Sequence, residues 1–112
     1  MSDIHHVSAE GPLLSSGADA LGLIYGDDVG EAEWIAVPAA RLDPAFFTLS
    51  SGVAGEFVQK FANYGLRLAV VGDISDALGR SAALRDFVGE SNRGRQVWFV
   101  ADADELARRL SG

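Results

Sequence analysis

The chain has 112 residues, no cysteine and a formal charge of −7, and 48% of its residues are apolar. This length suffices for one domain with a buried core, and the lack of cysteine excludes disulfide and thiolate chemistry. No apolar run approaches the roughly 20 residues of a membrane span, the N-terminus lacks a signal-peptide pattern, and the negative charge disfavours nucleic acid and anionic lipid. We therefore expect one cytoplasmic domain over residues 1–112 that binds neither nucleic acid nor membrane.

The N-terminal residues predict a short, weak strand. Apolar and polar residues mix over Ile4–Ala9, and the turn signal Glu10-Gly11-Pro12 follows. We expect this segment, if it is not flexible, to form an edge strand, and it is the strand most prone to run antiparallel. His5 and His6 are adjacent and would point to opposite faces of the strand, so we expect no metal site there.

The next two elements have clear boundaries. Ser16 and Asp19 form the capping-box start of a helix with apolar residues at helical spacing. The polar segment Asp27–Glu33 predicts a loop, and Trp34–Val37 predicts a strand. Pro38 ends that strand because proline cannot continue a central ladder.

The segment between this strand and the next helix is irregular. Asp43-Pro44 predicts a turn or helix start, and the adjacent Phe46 and Phe47 predict a loop held on the core, with ligand stacking as the alternative. Val53–Tyr64 is the clearest helix of the chain because its apolar residues form one stripe. We expect Ser50 or Ser51 to cap its start.

The centre of the predicted fold is the apolar run that follows this helix. Leu66–Val71 is too short for a typical helix and rich enough in valine and leucine to be a strand buried on both faces. Asp73–Arg80 predicts a loop or a broken first turn. A helix over 82–91, capped by Ser81, and a strand at Gln96–Val100 come next.

The last helix begins at a second capping signature, Asp102 and Glu105. Strands thus alternate with helices along the chain, which predicts the α/β class. We expect a mostly parallel four-stranded sheet with an N-terminal edge strand and about four helices.

Three segments of the chain resemble an uncharacterised bacterial domain-of-unknown-function family, DUF4180. They are Gln59–Tyr64, Gly72–Ser75 and Ala83–Gly94, and the resemblance covers roughly Ala18–Leu110. The family implies no assigned activity.

The order of elements is also similar to the STAS fold of anti-sigma-factor antagonists. The matching segments are Trp34–Val37, Phe46-Phe47, Leu49-Ser50-Ser51-Gly52, Val53–Tyr64 and Leu66–Gly72. In those antagonists a partner kinase phosphorylates a serine of the third segment and so releases the partner. The resemblance places that position at Ser51, with Ser50 and Gly52 beside it, while Leu49 stands where the antagonists carry an acidic residue.

The sequence contains none of the common catalytic or cofactor-binding motifs, and both histidines lie in the first six residues. The remaining candidates are the polar residues just past the strands, namely Asp73, Ser75, Asp76, Ser81, Arg85, Arg93 and Arg95. The alternative site is a pocket there, formed by Asp73, Ser75, Arg85 and Arg93, since ligands of open α/β sheets bind at the carboxyl ends of strands. Against this, Gly-Asp after a strand is also an ordinary turn, and Arg85 can pair with a neighbour on a solvated face.

Two hypotheses follow. The first is a noncatalytic STAS-like regulatory domain that binds a protein partner, with no cofactor and with possible switching by phosphorylation at the start of a helix. The alternative is a small-molecule-binding protein or enzyme with its pocket at the strand ends. The edge strand, Trp34 and Trp98 also allow a homodimer, although tryptophans in strands are more often buried.

Overall fold

The computed structural model describes residues 3–26 and 29–111, so Asp27 and Asp28 of the predicted loop lie outside the described residues. The elements are β1 (Ile4–His6), α1 (Gly17–Ile24), β2 (Trp34–Pro38), α2 (Val53–Asn63), β3 (Arg67–Val71), α3 (Ser75–Arg80), α4 (Ala82–Arg93), β4 (Val97–Val100) and α5 (Ala103–Ser111). Between β2 and α2 lie three short 3₁₀ turns, at Ala39–Arg41, Pro44–Phe47 and Leu49–Ser51. The predicted α/β class is confirmed.

The four strands form one sheet in the order β1-β2-β3-β4, and every neighbouring pair is parallel. The predicted edge position of β1 is confirmed, but its predicted antiparallel direction is wrong, because Ile4 pairs with Trp34 in parallel register. The reason is the connection between the two strands. Helix α1 packs on the sheet and returns the chain to the end of the sheet at which β1 began, so β2 runs parallel to β1.

The two faces of the sheet are covered differently. Buried residues of α1 and α2 pack on one face, and α4 adds its half-buried Phe87 and Val88 there. The opposite face packs against α5, through Leu106 and Leu110. Because β3 lies between β2 and β4 and is buried on both faces at Leu68–Val70, the predicted middle strand is confirmed.

Three of the predicted helix starts are confirmed by their hydrogen bonds. The Ser16 and Ser81 hydroxyls accept from the backbone N–H groups of Asp19 and Leu84. Asp102 and Glu105 bond reciprocally: the Glu105 N–H donates to Asp102, and the Glu105 carboxylate accepts from the Ala101 N–H. These contacts satisfy N–H groups that the first helical turn leaves unpaired.

The prediction of a loop or a broken first turn at Asp73–Arg80 is wrong, since most of this segment is the six-residue helix α3. The helix has no fully buried residue, so its sequence lacks the apolar stripe by which a helix is recognised. Among the described residues, no helix is long and apolar enough to cross a membrane.

Candidate functional site

A cleft of about 740 Å³ lies at the carboxyl ends of β2 and β3. One wall is the 3₁₀ segment that follows β2, and the other is α3, which follows β3. Most of the lining is apolar, including Pro38, Leu42, Phe47, Leu49, Ile74 and Ala77. A few polar side chains complete it: Thr48, Ser50, Asp73, Asp76, Arg80 and Ser81.

The first wall is held on the core by one of its two adjacent phenylalanines. The Asp43 carboxylate accepts from the Ala45 N–H at 2.9 Å and starts the 3₁₀ turn Pro44–Phe47. Phe46 is completely buried and meets the Phe57 ring edge-to-face, with 5.4 Å between centroids. Phe47 is half-buried and lines the cleft. The predicted anchoring is therefore confirmed for Phe46, whereas Phe47 contributes its ring to the cleft lining.

The two walls approach each other at Gly72. Its φ of +142° is one that residues with a side chain rarely adopt. A Cβ atom added here would also lie 3.2 Å from the Cβ of Ala39. Because residue 72 is glycine, the chain that follows β3 can pass close to Ala39 in the segment that follows β2. Both residues line the cleft where its two walls meet.

Asp73 belongs both to the cleft and to the turn that starts α3. Its Oδ1 accepts from the Ser75 N–H at 2.9 Å. Hydrogen bonds from the side chain and then the backbone of Ser75 hold the pKa of the Asp73 carboxyl below its ordinary value. The turn interpretation of Gly72-Asp73 is confirmed, and the cleft edge carries an ionised carboxylate at neutral pH.

This hydrogen bonding predicts a pH-dependent effect of Asp73→Asn. Because the folded-state pKa is depressed, the carboxylate stabilises the fold above its ordinary pKa, and that contribution is lost as pH falls through the folded value. Urea unfolding of both proteins across a pH series should give a difference at neutral pH that closes in acid. A difference that stays constant with pH would contradict the assigned cause.

A second, smaller cleft of about 320 Å³ lies on the other side of α3, and it shares Gly72, Asp73 and Ile74 with the first. Ser75, Leu78 and Phe99 are among its other lining residues. The helix α3 therefore separates two concavities along the same edge of the sheet.

The structure divides the four residues of the predicted alternative pocket. Asp73 lines both clefts, and Ser75 lines the smaller one. Arg85 lines neither, because its Nη1 donates to the Leu78 carbonyl at 2.6 Å and fastens α3 to α4. Arg93 also lines neither and pairs with Glu90 within α4.

The serines singled out by the STAS resemblance lie beside the large cleft. Ser50 is exposed and lines it. Ser51 is also exposed; its hydroxyl donates to the Ala45 carbonyl and accepts from the Val53 N–H at 3.2 Å. The N-cap of α2 is Gly52, with φ of +82°, and not Ser50 or Ser51 as predicted. Glycine is favoured here because the chain turns into the helix through a left-handed conformation.

One family model matches nearly the whole chain. The match covers residues 1–110, and the family is described as "Domain of unknown function (DUF4180)". The chain belongs to this family. The predicted family resemblance is confirmed, and the whole cleft lies inside the matched residues. No curated protein and no solved structure matches the chain.

Sequence reasoning missed Thr48 and Arg80, and it named Asp76 and Ser81 among the candidate polar residues without assigning them to the pocket. Asp76 and Arg80 are four residues apart, the spacing that places two side chains on one face of a helix. That signal becomes readable only when Ser75–Arg80 is known to be helical. Within the described ranges, no group of three or more histidine, aspartate or glutamate side chains is arranged to hold a metal ion.

Proposed function

We propose that this domain is a noncatalytic binding protein that holds a small molecule with an apolar body in the cleft between the 3₁₀ segment and α3. The observation that carries the proposal is the cleft itself, whose volume of about 740 Å³ falls within the roughly 300–1,000 Å³ of known ligand pockets. Its lining supports the same conclusion, because an apolar surface with a few convergent polar groups is typical of such pockets.

The position of the cleft also supports this function. Ligands of open α/β sheets bind outside the carboxyl ends of the strands. In many such sheets the ligand crevice lies where the strand order reverses and the neighbouring connections run to opposite faces. The described strands follow the order β1-β2-β3-β4 without a reversal, so this sheet has no crevice of that kind. The cleft is formed instead by the long connection after β2 and by α3 after β3.

A pair of neighbouring alanines provides a matched test. Ala82 and Ala83 are both exposed in the first turn of α4, but only Ala83 lines the cleft. N-phenyl-1-naphthylamine, an uncharged aromatic that fluoresces in apolar sites, should bind the unmodified protein. Ala83→Trp should weaken that binding about tenfold or more, since an indole would occupy the space, whereas Ala82→Trp should leave it unchanged.

Thermal unfolding gives an independent readout of the same titration. A ligand at ~100 times its dissociation constant adds about 2.7 kcal/mol to the free energy of unfolding, so the melting temperature should rise for the unmodified protein and for Ala82→Trp. Lack of binding to the unmodified protein, or equal binding to both variants, would refute the proposed site.

A second function is favoured by the placement of Ser51. We propose it as the STAS-like alternative, in which the domain binds a protein partner and is switched by phosphorylation. The exposed Ser51 hydroxyl joins the 3₁₀ segment, at Ala45, to the start of α2, at Val53. A phosphate would remove the donor to Ala45 and add negative charge next to the cleft, at a surface where a partner would have to be desolvated.

Intact-mass measurement of protein from its native cells tests this alternative. We expect a population phosphorylated at Ser51 under some growth condition. In a pull-down, the protein with its own sequence should recover a stoichiometric partner, and Ser51→Asp should not. Ser8→Asp, at an exposed serine outside the cleft, is the control and should retain the partner. Absence of phosphorylation under every condition would count against the switch.

A further inference from the structure

We propose that the large cleft selects ligands whose polar group is a cationic amine, and that Asp76 is the carboxylate that recognises it. This inference rests on the proposed small-molecule function and adds the chemical class of the ligand.

The ionisable side chains that line the cleft are Asp73, Asp76 and Arg80. The cleft lining therefore contains two carboxylates and one guanidinium, and the whole chain carries a formal charge of −7. Counting Arg80, the three side chains carry a net charge of −1, which has the same sign as the net charge of the whole chain, so both disfavour an anion and favour a cation. Charge complementarity thus favours an amine over a carboxylate or a phosphate.

The two carboxylates differ in what they already bind. Asp73 accepts from Ser75 and is committed to the turn before α3. Asp76, one position into α3, is exposed and lines the cleft, and its carboxylate has no hydrogen bond or ion pair with any residue that the structure describes. Asp76 is therefore the carboxylate that can give its full accepting capacity to a ligand.

Arg80 does not neutralise Asp76, although it lies four residues later on the same helix. In residues 3–26 and 29–111, no ion pair joins Asp76 to Arg80. The apolar body of the ligand would lie against Leu42, Phe47 and Ile74, which line the same cleft. An amine on an alkyl or aryl body satisfies both parts of the site.

Three molecules of one chain length separate the contribution of the head group from that of the apolar body. Octylamine, octanol and octanoate each displace N-phenyl-1-naphthylamine if they enter the cleft, and at neutral pH they are cationic, uncharged and anionic. The affinities are expected to fall in that order, with octylamine binding about fivefold more tightly than octanoate, in line with the small energies of exposed charge pairs.

Matched variants assign the preference to Asp76. Asp76→Asn should weaken octylamine binding about three- to fivefold and leave octanol unchanged, since only the charge is removed. Asp104→Asn is the control, because Asp104 is likewise exposed at the second position of a helix, α5, but lies outside the cleft. It should change neither affinity.

The outcomes separate the two proposals. If octanol and the fluorescent aromatic bind but octylamine binds no better than octanoate, the amine preference is overturned and the binding cleft stands. The assignment of the amine contact to Asp76 is overturned if Asp76→Asn and Asp104→Asn change octylamine binding equally. If neither the aromatic nor any of the three molecules binds, both the preference and the proposed function fail.

Discussion

Phe46→Ala is expected to lower the free energy of unfolding by about 3–5 kcal/mol, the usual cost of removing a buried aromatic ring. Phe46 is completely buried, and its ring packs edge-to-face on both Phe57 and Phe47, with centroids 5.4 and 5.2 Å away. The substitution should also detach the 3₁₀ wall of the cleft from helix α2, because the Phe46 ring is the contact that packs this wall on Phe57. Urea denaturation measures it directly.

The neighbouring Phe47→Ala is the matched comparison. Phe47 is only half-buried and faces the cleft, so its removal should cost about 1 kcal/mol of stability. It should nevertheless weaken binding of N-phenyl-1-naphthylamine, because it removes an apolar contact for the ligand. Equal destabilisation by the two substitutions would contradict the division between a core anchor and a cleft residue.

Trp98→Ala is expected to cost about 4 kcal/mol and to loosen α5 from the sheet. The indole is only 3% exposed and packs on Trp34, with 4.3 Å between ring centroids. The Arg109 guanidinium of α5 lies 3.9 Å from the same ring, and the indole N–H donates to the Gly94 carbonyl at 2.8 Å. One side chain thus connects β2, β4 and α5.

Urea unfolding and amide hydrogen exchange test this expectation together. Stability should fall, and the amides of α5 should lose protection more than those of α2, which packs on the opposite face of the sheet. Leu13→Ala provides a control because Leu13 is 50% exposed, and a change within about 0.5 kcal/mol is expected there. Unchanged protection in α5 would contradict the assigned role of Trp98.

The sequence was most informative where burial leaves a pattern. The apolar run around Val70 predicted the middle strand because a strand covered on both faces excludes polar residues. Helix starts at Ser16 and Ser81 were predicted because a hydroxyl at that position satisfies backbone N–H groups. By contrast, α3 has no fully buried residue, so nothing in its composition distinguishes it from a loop.

The direction of β1 could not be predicted from its own residues. A short edge strand pairs through backbone atoms, and its direction depends on how the following connection returns to the sheet. Here α1 packs on one face, with Ala20 and Ile24 buried, and so makes β1 parallel to β2. This information is spread over the connection and is not contained in Ile4–His6.

The candidate site shows the same limit. Ser50 and Asp73 belonged to separate hypotheses in the sequence, one for a partner surface and one for a pocket. The structure places both in one cleft, because they follow β2 and β3 and these parallel strands end at the same edge of the sheet. Asp76 was a candidate in the sequence, but its pairing with Arg80 on one helix face was not predicted, because their common helix was predicted as a loop or a broken first turn.

The most direct test of the account is a titration of the isotope-labelled protein with N-phenyl-1-naphthylamine, followed through its backbone amide signals. The account predicts saturable shifts for residues 47–50, 72–74, 76 and 77, which line the two walls of the cleft, and none for α5 on the far face. Shifts centred on α5, or no saturable shift at all, would contradict the claim that this domain binds its ligand at the carboxyl ends of β2 and β3.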